Sequence, residues 1–159
     1  MATISTADVA KLRRVTLAGM MDCKKALEEA NGDFDKAIEI IRKKGQAVAN
    51  KRADKEATEG VVLALTTANG KTGAMIVLNC ETDFVAKNAG FIAFADKILN
   101  IALTRNPADL EALKSLPMDG GKVADKVIEY IGIIGEKLEL SCFERIEAPH
   151  VHAYIHPGN

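Results

Sequence analysis

No tryptophan occurs among these 159 residues, and aromatic side chains of all kinds make up only 4%. The core must therefore be built from Ala, Val, Ile and Leu with a few Phe and Met, and an exposed Phe would demand a reason. Cysteine is scarce as well. Cys23, Cys80 and Cys142 lie far apart, are odd in number and form no C-x-x-C pair, which argues against a disulfide framework or a zinc ribbon and for a reducing, cytoplasmic setting. No stretch approaches the roughly 18 apolar residues of a membrane span, and Met1 to Lys11 carries no charged-then-apolar leader pattern. Nor is there a surplus of charge: 21 Lys and Arg stand against 22 Asp and Glu. A domain living on phosphate backbones needs a basic excess, so neither nucleic acid nor membrane is expected as a partner.

What is present begins with three short helical patterns. Ser5 followed by Asp8 is a capping-box start, and Val9 and Leu12 give an apolar stripe to a helix over Thr6 to Val15. Gly19 to Ala30 places Met20, Cys23, Leu27 and Ala30 at helical spacing and stops at Asn31-Gly32, which tolerates positive φ. Met20 and Met21 are adjacent, so one is expected in the core and the other outside. A third helix begins at Asp33, carries Phe34, Ala37, Ile38 and Ile41, and closes on Arg42, Lys43, Lys44 and Gly45, cations at the negative end of the helix dipole. Residues 1–45 thus read as a three-helix bundle. Residues 46–59 show no convincing apolar periodicity and read as a charged linker or a solvated helix.

Residues 60–159 read as an α+β domain with a mainly antiparallel sheet. The runs Val61 to Thr67 and Gly73 to Cys80 flank Asn69-Gly70, a hairpin signal. Helical spacing returns from Asn88 to Ala102, in Ala108 to Leu116 and in Lys122 to Ile134. Strand-like alternation resumes at Leu138, Leu140 and Cys142, and again at Val151, Ala153 and Ile155. Because Pro157-Gly158-Asn159 follows that last alternation directly, the domain is expected to be truncated there. Its open sheet edge at Val151 to Ile155 would invite self-association.

Catalytic signatures are absent or incomplete. Gly70-Lys71-Thr72 imitates the end of a phosphate-binding loop, but Leu65 occupies the position of its first Gly and a hairpin turn replaces the required helix. His150, His152 and His156 would share one strand face, yet the outer two would lie roughly 20 Å apart at strand rise, too far for one ion. No metal, cofactor or catalytic residue is expected, and the three thiols read as structural.

One segment breaks this pattern. Glu81-Thr82-Asp83-Phe84-Val85-Ala86-Lys87-Asn88 connects a strand to a helix, and its Phe is either tucked into the core or offered to a partner. Together with Leu17-Ala-Gly-Met-Met-Asp-Cys-Lys-Lys-Ala-Leu27, Glu29-Ala-Asn-Gly-Asp33, Cys80 and Gly90-Phe91, it closely resembles the elongation factor Ts family, in the same order along the whole chain.

The resemblance implies a guanine nucleotide exchange factor for elongation factor Tu, acting in protein synthesis without catalytic chemistry of its own. It implies a first bundle similar to ubiquitin-associated domains, with Arg13, Met20 and Met21 at partner-contact positions. Thr82, Asp83, Phe84 and Val85 match the part that pushes beside the partner's magnesium, with Phe84 as wedge. Ile134 and Gly135 match a second contact, and His156 a third. A ubiquitin-binding module would account for the bundle but leave the segment after Cys80 unexplained.

Overall fold

The computed structural model describes residues 4–156. Its architecture is α+β, with an antiparallel sheet covered by helices. The expectation of a cut end at 157–159 lies outside the described residues.

Three helices come first. α1 (Thr6–Thr16) starts on the expected capping box: the Ser5 hydroxyl accepts from the Asp8 amide at 3.1 Å, and the Asp8 carboxylate accepts from the Ser5 amide at 3.2 Å. It ends at Leu17, a left-handed residue with φ 59° whose amide donates to the Arg13 carbonyl. α2 (Met20–Glu29) closes through Asn31 and Gly32, both at positive φ as the Asn-Gly pair requires. α3 (Phe34–Lys51) starts on Asp33, whose side chain accepts from the Lys36 amide. Val9, Leu12, Cys23, Ala26, Leu27, Ala37 and Ile41 form the core of this bundle.

α3 does not end at Gly45, as its closing cations and glycine predict, but runs on to Lys51, so the first part of 46–59 takes the helical of its two expected forms. The reason is a contact that hydrophobic periodicity does not register. A Cβ at Gly45 would stand 2.7 Å from the carbonyl oxygen of Ile128, and one at Gly132 would stand 2.7 Å from the Gly45 Cα. Two backbones touch there, which only glycine permits. Beyond that crossing Val48 and Ala49 pack on the core of the sheet domain, so 46–51 form a docked helix end, and an irregular connection over 52–58 leads to the sheet.

The sheet consists of β1 (Glu59–Thr66), β2 (Thr72–Cys80) and β5 (Glu139–Glu147) in the order β1-β2-β5, all antiparallel. β2 and β5 keep register from Thr72↔Glu147 to Val77↔Cys142, then shift by one residue before Leu78↔Leu140. Between β2 and β5 the chain forms α4 (Asp83–Ala86), α5 (Ala89–Arg105), α6 (Leu110–Ser115), the two-residue strands β3 (Pro117–Met118) and β4 (Gly121–Lys122), and α7 (Val123–Ile134). Ala74, Ile76, Leu78 and Cys80 alternate toward the helices and meet Phe91, Phe94, Ile98, Leu99 and Tyr130. Phe94 and Tyr130 stack with centroids 4.3 Å apart.

α7 sits between the two cores. Its Ile133 packs against both, and it buries an ion pair, Lys126 to Glu129 at 2.7 Å.

The strand expected at Val151 to Ile155 is not formed; 151–156 have no regular structure. β5 ends at Glu147, two residues before Pro149, which has no amide to donate to a ladder. The chain then folds over the hairpin turn, with the Ala148 amide on the Lys71 carbonyl and the Val151 amide on the Gly70 carbonyl at 2.7 Å. Val151 also covers the bare backbone at Gly73. Self-association through Val151 to Ile155 therefore loses the strand on which it was premised.

The crossing of α3 and α7 yields a test. Gly132→Ala should destabilise the chain by about 1–3 kcal/mol, since the added methyl meets backbone that must move. Gly19→Ala, where the new Cβ would find only the Asp22 carboxylate at 3.6 Å, should be close to neutral in the same denaturant titration.

Candidate partner interface

The segment after β2 is a strand end turned into one helical turn. Thr82 has extended backbone and caps α4, its hydroxyl accepting from the Val85 amide at 3.5 Å. Val85 and Ala86 face inward onto the main core. Phe84 faces outward and is 83% exposed. The other Phe side chains lie elsewhere: Phe91, Phe94 and Phe143 are buried, and Phe34 is half-buried beneath the Lys11 ammonium, 4.8 Å from the ring centroid. Of the two readings of Phe84, the core one is excluded.

Beside it, Asp83 accepts from Lys87 at 2.7 Å across one helical turn. The Lys87 hydrogen bond holds the Asp83 carboxyl below its ordinary range, and the same bond raises the Lys87 ammonium.

Two glutamates fasten this turn. The Glu136 carboxylate accepts from the Glu81 amide and the Thr82 amide, each at 3.1 Å on one oxygen, and from the Thr82 hydroxyl at 2.7 Å on the other. In return the Glu81 carboxylate accepts from the Lys137 amide at 2.6 Å and from Arg52 at 3.1 Å. The Lys137 ammonium donates to the carbonyls of Ala53 and Lys55 just past α3. The ends of β2, α3 and α7 are thereby tied at one point. Burial pushes the neighbouring Cys80 thiol up to about 11, with the negative charge of Glu136 adding to the effect.

Gly135 ends α7 at φ 80°, its amide on the Ile131 carbonyl. Ile134 and Gly135 immediately precede Glu136, so the two segments expected to contact a partner, Thr82 to Val85 and Ile134 to Gly135, share this knot. Neither Glu136, Arg52 nor Lys137 was singled out from the sequence, where each is an ordinary charged residue. The one available signal was Glu81, a carboxylate directly between a buried strand and a helix cap.

At the other corner, Arg13, Met20 and Met21 gather around the α1–α2 connection. All are exposed. The expectation that one methionine is buried is corrected: Met20 is 41% and Met21 64% exposed, because α2 enters the bundle core only at Cys23. Leu17, 44% exposed at the left-handed end of α1, joins them.

No contact among the described residues brings His156 to Phe84. The histidine pairs with the Tyr154 hydroxyl at 3.1 Å, and its segment is fastened at the Gly70 end of the hairpin. That end lies roughly 26 Å along β2 from Cys80 at strand rise.

Small-molecule sites are concave. The Phe84 ring stands out in solvent, and a cavity of about 410 Å³ lies elsewhere, between the Gly73 end of the sheet and Val151. An apolar ring on a projecting turn suits insertion into another macromolecule.

Comparison with known proteins bears on the same residues. The sequence model described as "Elongation factor TS" matches residues 81–159, a span that starts at the first residue of the knot and includes Glu136. Elongation factor Ts of Porphyromonas gingivalis is 54% identical over 159 residues, covering 98% of this chain and 57% of that protein. The chain belongs to the elongation factor Ts family. Elongation factor Ts of Flavobacterium psychrophilum is 53% identical over all of this chain and 57% of its own length, and that of Phocaeicola vulgatus 53% identical over 98% and 47%. The chain thus spans about half the length of the curated elongation factor Ts relatives it matches. Among the described residues no helix is long and apolar enough to cross a membrane.

Two measurements follow from this geometry. Phe84→Ala should change unfolding free energy by no more than about 0.5 kcal/mol, the range for exposed positions away from special features. Phe91→Ala, at a fully buried ring, should cost about 3–5 kcal/mol in the same titration. The Cys80 thiol supplies a pH dependence. Its proton is held more tightly in the folded chain than at the ordinary value of 9.0, so its contribution is complete below pH 9 and is lost as pH rises toward 11. Cys80→Ala should flatten the fall in stability over that window; an unchanged slope would remove Cys80 as its source.

Proposed function

We propose that this chain promotes release of GDP from elongation factor Tu, as a translation factor of the cytoplasm that performs no bond chemistry itself. The observation that carries the proposal is Phe84, a large apolar side chain 83% exposed on a turn held by a dense set of hydrogen bonds. Exposing an aromatic ring without a partner gains nothing, and a ring fixed in that position is suited to enter one.

In this reading α1 to α3 form an anchoring bundle of ubiquitin-associated type. Leu17, Met20 and Met21 supply an adaptable apolar contact beside the Arg13 charge. Thr82 to Val85 then reach the partner beside its bound magnesium, where Phe84 separates side chains that coordinate the ion and the GDP phosphates, and Asp83 accompanies it as a polar neighbour. Ile134 and Gly135 make the adjoining contact. His156 would touch the partner separately, since its segment is fastened at the far end of the sheet.

Displacing the groups around the magnesium removes a large local positive charge from the phosphates, and the nucleotide loses affinity. The chain needs only to bind the distorted partner better than the undistorted one. By linkage, nucleotide must weaken the chain's own binding by the same factor.

Stopped-flow release of a fluorescent GDP from elongation factor Tu tests the proposal. Added chain should accelerate release, and Phe84→Ala should cut the acceleration by about tenfold or more, as loss of a central interface aromatic does. Met21→Ala should raise the concentration needed for half effect while leaving thermal stability unchanged. No acceleration by the chain, or full acceleration by the Phe84 variant, would refute the reading.

A further inference from the structure

We propose that Glu136 is a positioning residue for exchange: from the turn after α7, its carboxylate holds the backbone and hydroxyl of the Glu81–Thr82 step and thereby aims Phe84. The inference rests on the exchange reading above and names what that reading needs, a reason for the ring to point one way.

α4 has four residues, too few to persist unaided. The Asp83–Lys87 pair is exposed on both sides and holds little. Phe84 has no packing of its own to fix it. Val85 and Ala86 seat one side of the turn on the core, which leaves rotation about that seat to be controlled from the cap.

The Cys80 thiol donates to the Thr82 carbonyl at 3.2 Å, and the remaining hold on the cap comes from Glu136. One Glu136 oxygen takes both backbone amides and the other takes the Thr82 hydroxyl proton. With its proton committed to Glu136, the hydroxyl presents a lone pair to the Val85 amide, so the cap and the first turn are set by one carboxylate. All three groups facing it donate, and a carboxylate, which only accepts, suits them. Glutamine would serve the amides with its oxygen but turn an NH₂ toward the hydroxyl. Glu136 also follows Gly135 directly, so the wedge and its neighbouring contact move as one piece. Arg52 and Lys137 steady the same knot from the α3 side.

The absence of tryptophan makes the test direct, because Phe84→Trp places a lone tryptophan at the wedge, excited at wavelengths where Tyr130 and Tyr154 do not absorb. In the isolated chain, adding Glu136→Ala or Thr82→Val to that background should enlarge the fast, nanosecond part of the anisotropy decay. Thr82→Ser, which keeps the hydroxyl, should not. In GDP release from elongation factor Tu, with Phe84 intact, Glu136→Ala should lower the saturating rate by about tenfold or more, the scale of a misplaced reacting geometry. The half-saturating concentration, set by the bundle, should stay nearly constant, whereas general unfolding would move both. Glu136→Gln should fall between. If Glu136→Ala fails to fold by circular dichroism, the Thr82 pair decides alone. An unchanged anisotropy decay, or a normal saturating rate in variants whose Phe84→Ala counterpart is slow, overturns the role of Glu136. A Phe84→Ala chain as fast as the parent would instead sink the exchange reading.

Discussion

Two carboxylates exchanged between neighbouring segments hold the working end of this molecule together. Glu136 accepts the amides of 81 and 82, and Glu81 accepts the amide of 137. β2 and β5 are paired antiparallel, so the exit of one lies beside the entrance of the other, and the exchange closes the sheet at that end. Part-buried carboxylates are costly unless their oxygens are met. Here both oxygens of each glutamate receive donors, and most of those donors are backbone amides, which would otherwise be left over where the strands stop.

The same knot reaches the rest of the chain through α7. The C-terminal end of that helix delivers Ile134, Gly135 and Glu136, and its stretch from Ile128 to Gly132 crosses α3 at Gly45 with backbone touching backbone. Ile133 is shared by the two cores. A bundle presenting Leu17 and the two methionines is thereby joined to a turn presenting Phe84 without a slack connection. Geometry fixed before binding lowers the ordering cost of association, which supports the exchange role proposed for this surface.

The α+β class and its antiparallel hairpin were legible because they rest on local signals: the Ser5–Asp8 capping box, Asn31-Gly32, Asn69-Gly70 and the alternation through β2. What escaped depended on tertiary contact. Gly45 looked like a helix end because a glycine usually marks one, and its actual role required a second glycine 87 residues away. Val151, Ala153 and Ile155 alternate as a strand does, but alternation cannot show whether a neighbour is available, and after Pro149 the segment caps the hairpin turn. Met20 stood at helical spacing with Cys23 and Leu27, yet spacing does not reveal that the first turn of α2 lies beyond the bundle core. Phe84 stood out as unusual, and its exposure became definite only in three dimensions. Glu136 gave no signal, because a carboxylate after a helix end is commonplace until its donors are known.

The proposed exchange role requires that Phe84 couple this chain to the nucleotide on elongation factor Tu. The most direct test is the ratio of two affinities, measured by titration calorimetry: the chain for nucleotide-free elongation factor Tu, and the chain for the same protein saturated with GDP and magnesium. Strong preference for the nucleotide-free partner is expected, with Phe84→Ala collapsing the ratio toward one mainly by weakening the nucleotide-free complex. A ratio that survives Phe84→Ala unchanged would contradict it.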